Sequence, residues 1–263
     1  MKVKVLMENT KGREDLCCEH GLSLYIETKK HKLLFDAGQS ESFAENAKKM
    51  SVDLNEVDTV ILSHGHYDHG GGLQCFMSIN DKAPVYLNRN AFVEHLDSTS
   101  RDIGIDGGLK DNKRLIFVDD MLEIDEELTL YSCNEKERPF GSDSGNLMMK
   151  HEGKIVQDDF RHEHYLLIKE DDKKILISGC SHKGILNIVN WFDADVFIGG
   201  FHIVNVDPEG EGRKRLEQVA DELLSYPTKY YTGHCTGTAQ YAFLKDIMKD
   251  KLEYLSTGTE FEI

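Results

Sequence analysis

The sequence predicts an α/β protein in which mixed sheets are covered by helices. Three observations carry that prediction. Short apolar, β-branched runs recur at strand length along the chain. The early runs succeed one another as in hairpins, whereas the later ones alternate with helical stripes. Four of the runs end in a glycine-containing turn that carries a histidine.

Strands are predicted at Val3–Met7, Leu22–Glu27, Lys32–Asp36, Thr59–Ser63, Val85–Asn88, Leu115–Val118, Leu128–Ser132, Tyr165–Lys169, Lys174–Ser178, Val196–Gly199, Lys229–Thr232 and Leu252–Ser256. Glu211–Ser225 places Leu216, Val219, Ala220, Leu223 and Leu224 on one helical stripe. Gly184–Phe192 is apolar nearly all round and is expected to be buried, and Phe243, Leu244, Ile247 and Met248 mark a further amphipathic helix. No Pro-rich linker or internal repeat divides the 263 residues, so one domain over 1–263 is expected.

The formal charge of −16, from 47 acidic and 31 basic residues, opposes phosphate backbones and shows no clustered basic face. Small-molecule partners are therefore expected, without nucleic acid or membrane. No apolar run approaches membrane-spanning length, and Met1–Met7 reads as a strand and not a signal peptide, so a soluble cytoplasmic protein is expected. The six cysteines lack CxxC spacing and are expected as free thiols, adjacent Cys17 and Cys18 included.

The densest chemistry lies in Ser63-His64-Gly65-His66-Tyr67-Asp68-His69-Gly70, straight after an apolar strand. In extended backbone, residues two apart share a side, so His64 and His66 can grip one cation while Asp68 and His69 point to a second. Imidazole with carboxylate suits zinc, with manganese or iron as alternatives, and paired ions of this kind are a common hydrolytic device. Further histidines follow the strand ends at His182, His202 and His234, where α/β sheets gather ligands.

Through Leu34-Phe35-Asp36-Ala37-Gly38, Leu62–His69 and Gly233-His234, the chain closely resembles the metallo-β-lactamase superfamily. The resemblance implies an αββα sandwich, two mixed sheets flanked by helices, with two divalent metal ions in the cleft between the sheets. It implies that His64 and His66 hold one metal, that Asp68, His69 and His234 hold the other, and that Asp36 orients the site through hydrogen bonds. The motifs Glu19–Ser23, Gly179–Ile185, Gly199–His202 and Gly233–Gly237 narrow the likeness. They resemble the branch containing the archaeal dihydropterin–ribofuranosylaminobenzene-phosphate synthases and many metal-dependent hydrolases.

Two positions depart from the family pattern. Cys180 stands where a bridging aspartate is usual, and Phe160 stands where a third histidine is usual. His182 is the natural substitute ligand. Cys180 has two readings, a ligating thiolate or a thiol packed beside the metals. His162 and His164 are weaker candidates, at a strand edge or facing substrate. His20 and His202 are expected to contact substrate or carry protons. Ser181 lacks the GxSxG setting of a serine nucleophile. Asp97–Lys113 and Cys133–His164 read as irregular cleft-lining loops, whose Arg101, Lys110, Lys113, Arg138, Lys150, Lys154 and Arg161 are candidates for holding an anion.

These features point to a metal-dependent hydrolase with Asp68 in the catalytic role, acting on a small phosphoester, lactone or other ester. A transferase joining a pterin diphosphate to an arylamine is the alternative, and a non-catalytic metal or ligand sensor is a third reading.

Overall fold

The computed structural model describes residues 1–263. Its two seven-stranded sheets divide the chain near its middle. The first sheet runs in the order Glu260–Glu262, Lys2–Met7, Ser23–Glu27, Lys32–Phe35, Thr59–Ile61, Val85–Asn88 and Leu115–Val118. The second runs Leu252–Tyr254, Lys229–Thr232, Val196–Ile198, Lys173–Ile177, Tyr165–Glu170, Leu128–Tyr131 and Met121–Glu123. Both are mixed: antiparallel hairpins lead into parallel strands where helical connections take over.

Period-two alternation explains why the sheets pack face to face. Leu33, Phe35 and Ile61 of the first sheet meet Ile175, Ile177, Val196 and Ile198 of the second in one apolar layer. The intervening Leu34, Val60 and Leu62 face the other way, toward Phe43, Ala47, Leu73 and Phe76 of helices Ser42–Lys49 and Leu73–Ile79. Leu176 and Phe197 likewise turn outward against Leu186, Val189, Leu216, Leu223 and Leu244 of helices Ile185–Trp191, Gly210–Ser225 and Thr238–Met248. Sheets buried on both faces and clothed by helices make the αββα sandwich.

The helices anticipated from apolar periodicity are present, and Ile185–Trp191 is buried as expected. The segment read as an irregular loop, Cys133–His164, instead contains the hairpin Met148–His151/Lys154–Gln157, to which His95–Leu96 adds a third strand. Most of its residues are exposed on both faces, so no alternation marked it. All six cysteines are free, and no helix is long and apolar enough to cross a membrane.

Candidate metal centre

Parallel strands bring their carboxyl ends to one edge of the sandwich, and the four histidine-bearing turns follow there. His64 follows Thr59–Ile61 of the first sheet; His182, His202 and His234 follow Lys173–Ile177, Val196–Ile198 and Lys229–Thr232 of the second. Several turns use left-handed backbone at non-glycine residues: Asp36 (φ 59°), Ser181 (62°), His202 (52°) and His234 (51°). Such conformations cost about 1–3 kcal/mol each and persist where the surroundings over-determine them. Close approach is also demanded at Gly179, where a β-carbon would lie 2.2 Å from Ser63 Oγ.

The convergent side chains form the floor of a cavity of about 310 Å³. His66, Asp68, Cys180, His182 and His234 line it, with His20 and His202 also at its wall. Two sets of donors stand out among several that could hold a metal. His64, His66 and His182 present nitrogens within 4.8 Å of one another, and His64 Nε2 lies 3.3 Å from His182 Nε2. Beside them, His69 Nε2 lies 3.1 Å from His234 Nε2, and Asp68 Oδ2 lies 3.2 Å from His234 Nε2 and 3.6 Å from His69 Nε2.

Hydrogen bonds at the far side of each ring decide which nitrogen carries its lone pair inward. Buried Asp36 accepts from His69 Nδ1 (2.7 Å), leaving Nε2 for the cleft. The same carboxylate accepts from Ser63 Oγ (2.7 Å) and from the Ser63 N–H (2.7 Å). Ser63 Oγ therefore accepts from His64 Nδ1 (2.8 Å), and His64 Nε2 is the free acceptor. His234 Nδ1 donates to Asn9 Oδ1 (2.8 Å), with the same consequence. His20 is set the opposite way. The Asn9 amide faces its Nδ1 (3.4 Å), so its Nε2–H points to Asp68 Oδ2 (3.1 Å).

Electrostatics separate the two donor sets. Burial, reinforced by neighbouring imidazoles, holds His64 and His182 well below the ordinary histidine range. Burial would also lower His69, but the Asp68 and Asp36 carboxylates more than offset it and raise its pKa. Burial would raise Asp68, yet His69, His20 and His234 hold it well below the usual carboxylate range.

The backbone of His182 is anchored by residues that carry no motif. Glu163 accepts from the His182 N–H (2.7 Å), the Lys183 N–H (3.1 Å) and Tyr165 Oη (2.7 Å). Fully buried Lys183 donates to the carbonyls of Ser132 (2.6 Å) and Glu163 (2.9 Å), and burial lowers its pKa to about 8. His182 stacks on Phe160, with centroids 4.7 Å apart and planes at 7°. The residue at the usual third-histidine position thus supports the ring that substitutes for it.

Cys180 Sγ sits 3.1 Å from His69 Nε2, and burial raises its pKa well above the ordinary thiol value. Cys180 also belongs to three groups of donors close enough to hold a metal: with His64 and His69, with His182 and His202, and with His234 and Cys235. Cys235 lies against it, its Sγ 3.4 Å from the Cys180 carbonyl.

Two expectations need correction. Of the two readings for His162 and His164, the substrate-facing one is not met, because both are fully buried and line no part of the cavity; His164 does stand at a strand edge, directly before Tyr165–Glu170. They sit behind the metal motif, where the Gly65 N–H donates to His162 Nδ1 (2.9 Å) and the His164 N–H donates to the Ser63 carbonyl (2.9 Å). Of the basic loop residues, Arg101 alone lines the cavity, its guanidinium 5.8 Å from the Tyr67 ring centroid. Arg138, Lys150 and Arg161 are engaged elsewhere with Asp159, Glu94 and Asp159.

Comparison with known proteins agrees with this architecture. A family model described as the metallo-β-lactamase superfamily matches residues 18–205. The chain is 30% identical to the 7,8-dihydropterin-6-methyl-4-(β-D-ribofuranosyl)-aminobenzene-5'-phosphate synthase of Methanocaldococcus jannaschii, over 98% of this chain and 95% of that protein. It is 29% identical to an uncharacterized protein of the same organism, over 89% and 90% of the two chains. Among solved structures, the crystal structure of a metal-dependent hydrolase of the β-lactamase superfamily superposes with a TM-score of 0.82 at 26% identity, covering 100% of this chain and 99% of that one. The matched family model, the relatives aligned along nearly their whole lengths and the shared αββα architecture lead to one conclusion: this chain belongs to the metallo-β-lactamase superfamily.

Proposed function

We propose that this protein is a metal-dependent hydrolase that holds two divalent cations, zinc foremost, and acts on a small anionic ester. One observation carries the reading: inward-facing imidazole nitrogens and a carboxylate from both sheets converge on the floor of one cavity. The donors fit the group. Two nitrogens bound tetrahedrally to zinc stand about 3.3 Å apart, close to the 3.3 Å of His64–His182 and the 3.1 Å of His69–His234. On this reading His64, His66 and His182 hold one cation, and Asp68, His69 and His234 hold the other. Such cations lower the pKa of a coordinated water and polarise the bond it attacks.

The chain's own residues supply the rest. Asp36, Ser63 and Asn9 keep the ligating lone pairs aimed inward. Half-exposed His20 directs its Nε2–H at Asp68 Oδ2 and helps to hold that carboxylate ionised and in place at the cavity wall. Arg101 is the cationic side chain at the cavity and would meet the anionic end of a substrate, with Tyr67, Ile103, Leu147 and Val204 packing its apolar part.

A second reading has its own support. The synthase relative, matched over 98% of the chain, favours a transferase in which an arylamine displaces a diphosphate from a pterin. A turnover panel of phosphoesters, lactones and carboxylic esters, beside a pterin diphosphate with its arylamine partner, decides between them. Hydrolysis of a panel ester that disappears in Asp68→Ala supports the hydrolase. Turnover of the pterin pair alone moves the transferase to the front. Full metal loading with no turnover of either kind supports a sensor.

A further inference from the structure

Glu8 is a fully buried acidic residue that the proposed chemistry does not use. It directly follows Lys2–Met7, a strand of the first sheet. Its Oε1 accepts from the His234 N–H (2.5 Å) and from Tyr254 Oη (3.2 Å). Its Oε2 accepts from the Thr10 N–H (2.6 Å) and from Thr10 Oγ1 (2.5 Å). Four donors thus fill the acceptor sites of one carboxylate. The main chain of Glu8 is pinned as well: its N–H donates to Thr257 Oγ1 (2.8 Å), which donates to the Glu8 carbonyl (2.9 Å).

The turn that carries His234 is shaped for this contact. Gly233 has extended backbone (φ −173°), yet a β-carbon there would lie 3.1 Å from Glu8 Oε1 and 2.8 Å from the Leu255 carbonyl oxygen. His234 is left-handed (φ 51°), a conformation that persists only under constraint from its surroundings. The bond from its N–H to Glu8 supplies one such constraint, and it spans the two sheets. Glu8, Asp68 and His69 follow Lys2–Met7 and Thr59–Ile61 of the first sheet, whereas His234 follows Lys229–Thr232 of the second. The set Asp68, His69 and His234 is therefore assembled across the sandwich. Its spacings, 3.1 Å from His69 Nε2 to His234 Nε2 and 3.2 Å from Asp68 Oδ2 to His234 Nε2, depend on where the second sheet presents the His234 turn. Asn9 sets how the His234 ring faces, through Nδ1, whereas Glu8 holds the backbone from which the ring projects. Glu163 grips the His182 N–H in the same manner, but both of those residues flank strands of the second sheet.

We infer that Glu8 is the positioning residue for His234: through the His234 N–H it sets the distance across the sheets on which the Asp68, His69 and His234 cation site depends. Residues that orient metal ligands act on affinity without touching the metal. The inference rests on the proposed metal centre.

The test uses the zinc-loaded full chain, with the affinity of each zinc read by chelator competition. Glu8→Ala should weaken one zinc about 10–100-fold, the range seen when partners of metal ligands are lost, and leave the other unchanged. Glu8→Gln keeps an acceptor for the His234 N–H but turns an amide group toward the Thr10 donors, so its loss should be smaller. Tyr254→Phe spares the bond to His234 and should stay near wild type. A double-mutant cycle separates positioning from general support of the fold: in a His234→Ala background, Glu8→Ala should cost no further zinc affinity. Wild-type affinity in Glu8→Ala, equal loss at both zincs, or an undiminished effect in the His234→Ala background overturns the inference while sparing the metal centre. If neither Glu8 variant folds, the wild type decides through the scalar coupling across the hydrogen bond between His234 ¹⁵N and the Glu8 carboxyl ¹³C. That coupling should be present, and its absence contradicts the inference. A wild-type chain that takes up no zinc overturns the metal centre and the inference together.

Discussion

The two halves of the cleft floor are built from opposite electrostatics. His64, His66 and His182 are three imidazoles without a carboxylate among them, and burial first, then mutual proximity for His64 and His182, keeps them neutral. Asp68, His69 and His234 mix imidazole with an ionised carboxylate, and Asp36 behind His69 favours positive charge there even without a cation. One half therefore refuses a proton and the other accepts one. The difference teaches that acid and metal compete at different places: protons attack the folded state through the all-histidine half, whereas a cation at the other half replaces a charge the carboxylates already favour.

Asp36 is the group that reaches both halves, directly to His69 and through Ser63 to His64. Asp36→Ala should therefore weaken both metals, each by about 10–100-fold, which metal titration would resolve. Weakening confined to one metal would show that Ser63 alone orients His64.

The pH dependence of the metal-free chain probes the buried histidines packed behind the motif, next to the all-histidine half. Burial lowers His162 to about 4 and His164 to about 3 beside it. In the unfolded chain these groups take up a proton below about 6.5, while the folded chain does so only near the lowered values. Stability is thus full above about pH 6.5 and drains as pH falls toward 4. For His162 alone, the gap between 6.5 and about 4 corresponds to a loss on the order of 3 kcal/mol. His69, with its raised pKa, opposes this trend. Urea midpoints measured from pH 7.5 to 4.5 should fall steadily, and less steeply in His162→Gln; a flat profile would contradict neutral burial of the histidines behind the motif.

Gly179→Ala is a smaller and more local probe. Its β-carbon would lie 2.2 Å from Ser63 Oγ and 3.1 Å from His64 Nδ1. Overpacking of this kind costs about 1–3 kcal/mol, seen as a lower thermal midpoint, and the metal at His64 should loosen while that at His234 is retained.

How much of this was legible in the sequence depends on how local each signal is. His64, His66, Asp68 and His69 lie within six residues, and the extended spacing alone announces a shared site. The apolar runs mark the strands of both sheets to within a few residues, because sheets buried on both faces leave continuous hydrophobic stretches. His182, His202 and His234 were readable only as a recurrence at strand ends. Asn9, Glu163 and Lys183 were not readable, since each is a single polar residue far in sequence from the ring or backbone it holds. The near-adjacent His162 and His164 did draw notice, but only the fold shows that they turn away from the cavity and clamp the motif from behind. The hairpin Met148–His151/Lys154–Gln157 escaped for a different reason: it packs too little of itself to leave a pattern.

Counting metals by elemental analysis of untagged protein, in wild type, Cys180→Ser and His182→Ala, tests the two-cation centre most directly. Two metals per chain are expected in the wild type and in Cys180→Ser, falling to about one in His182→Ala. One metal or none in the wild type, unchanged by His182→Ala, would contradict a dinuclear centre built on these two halves.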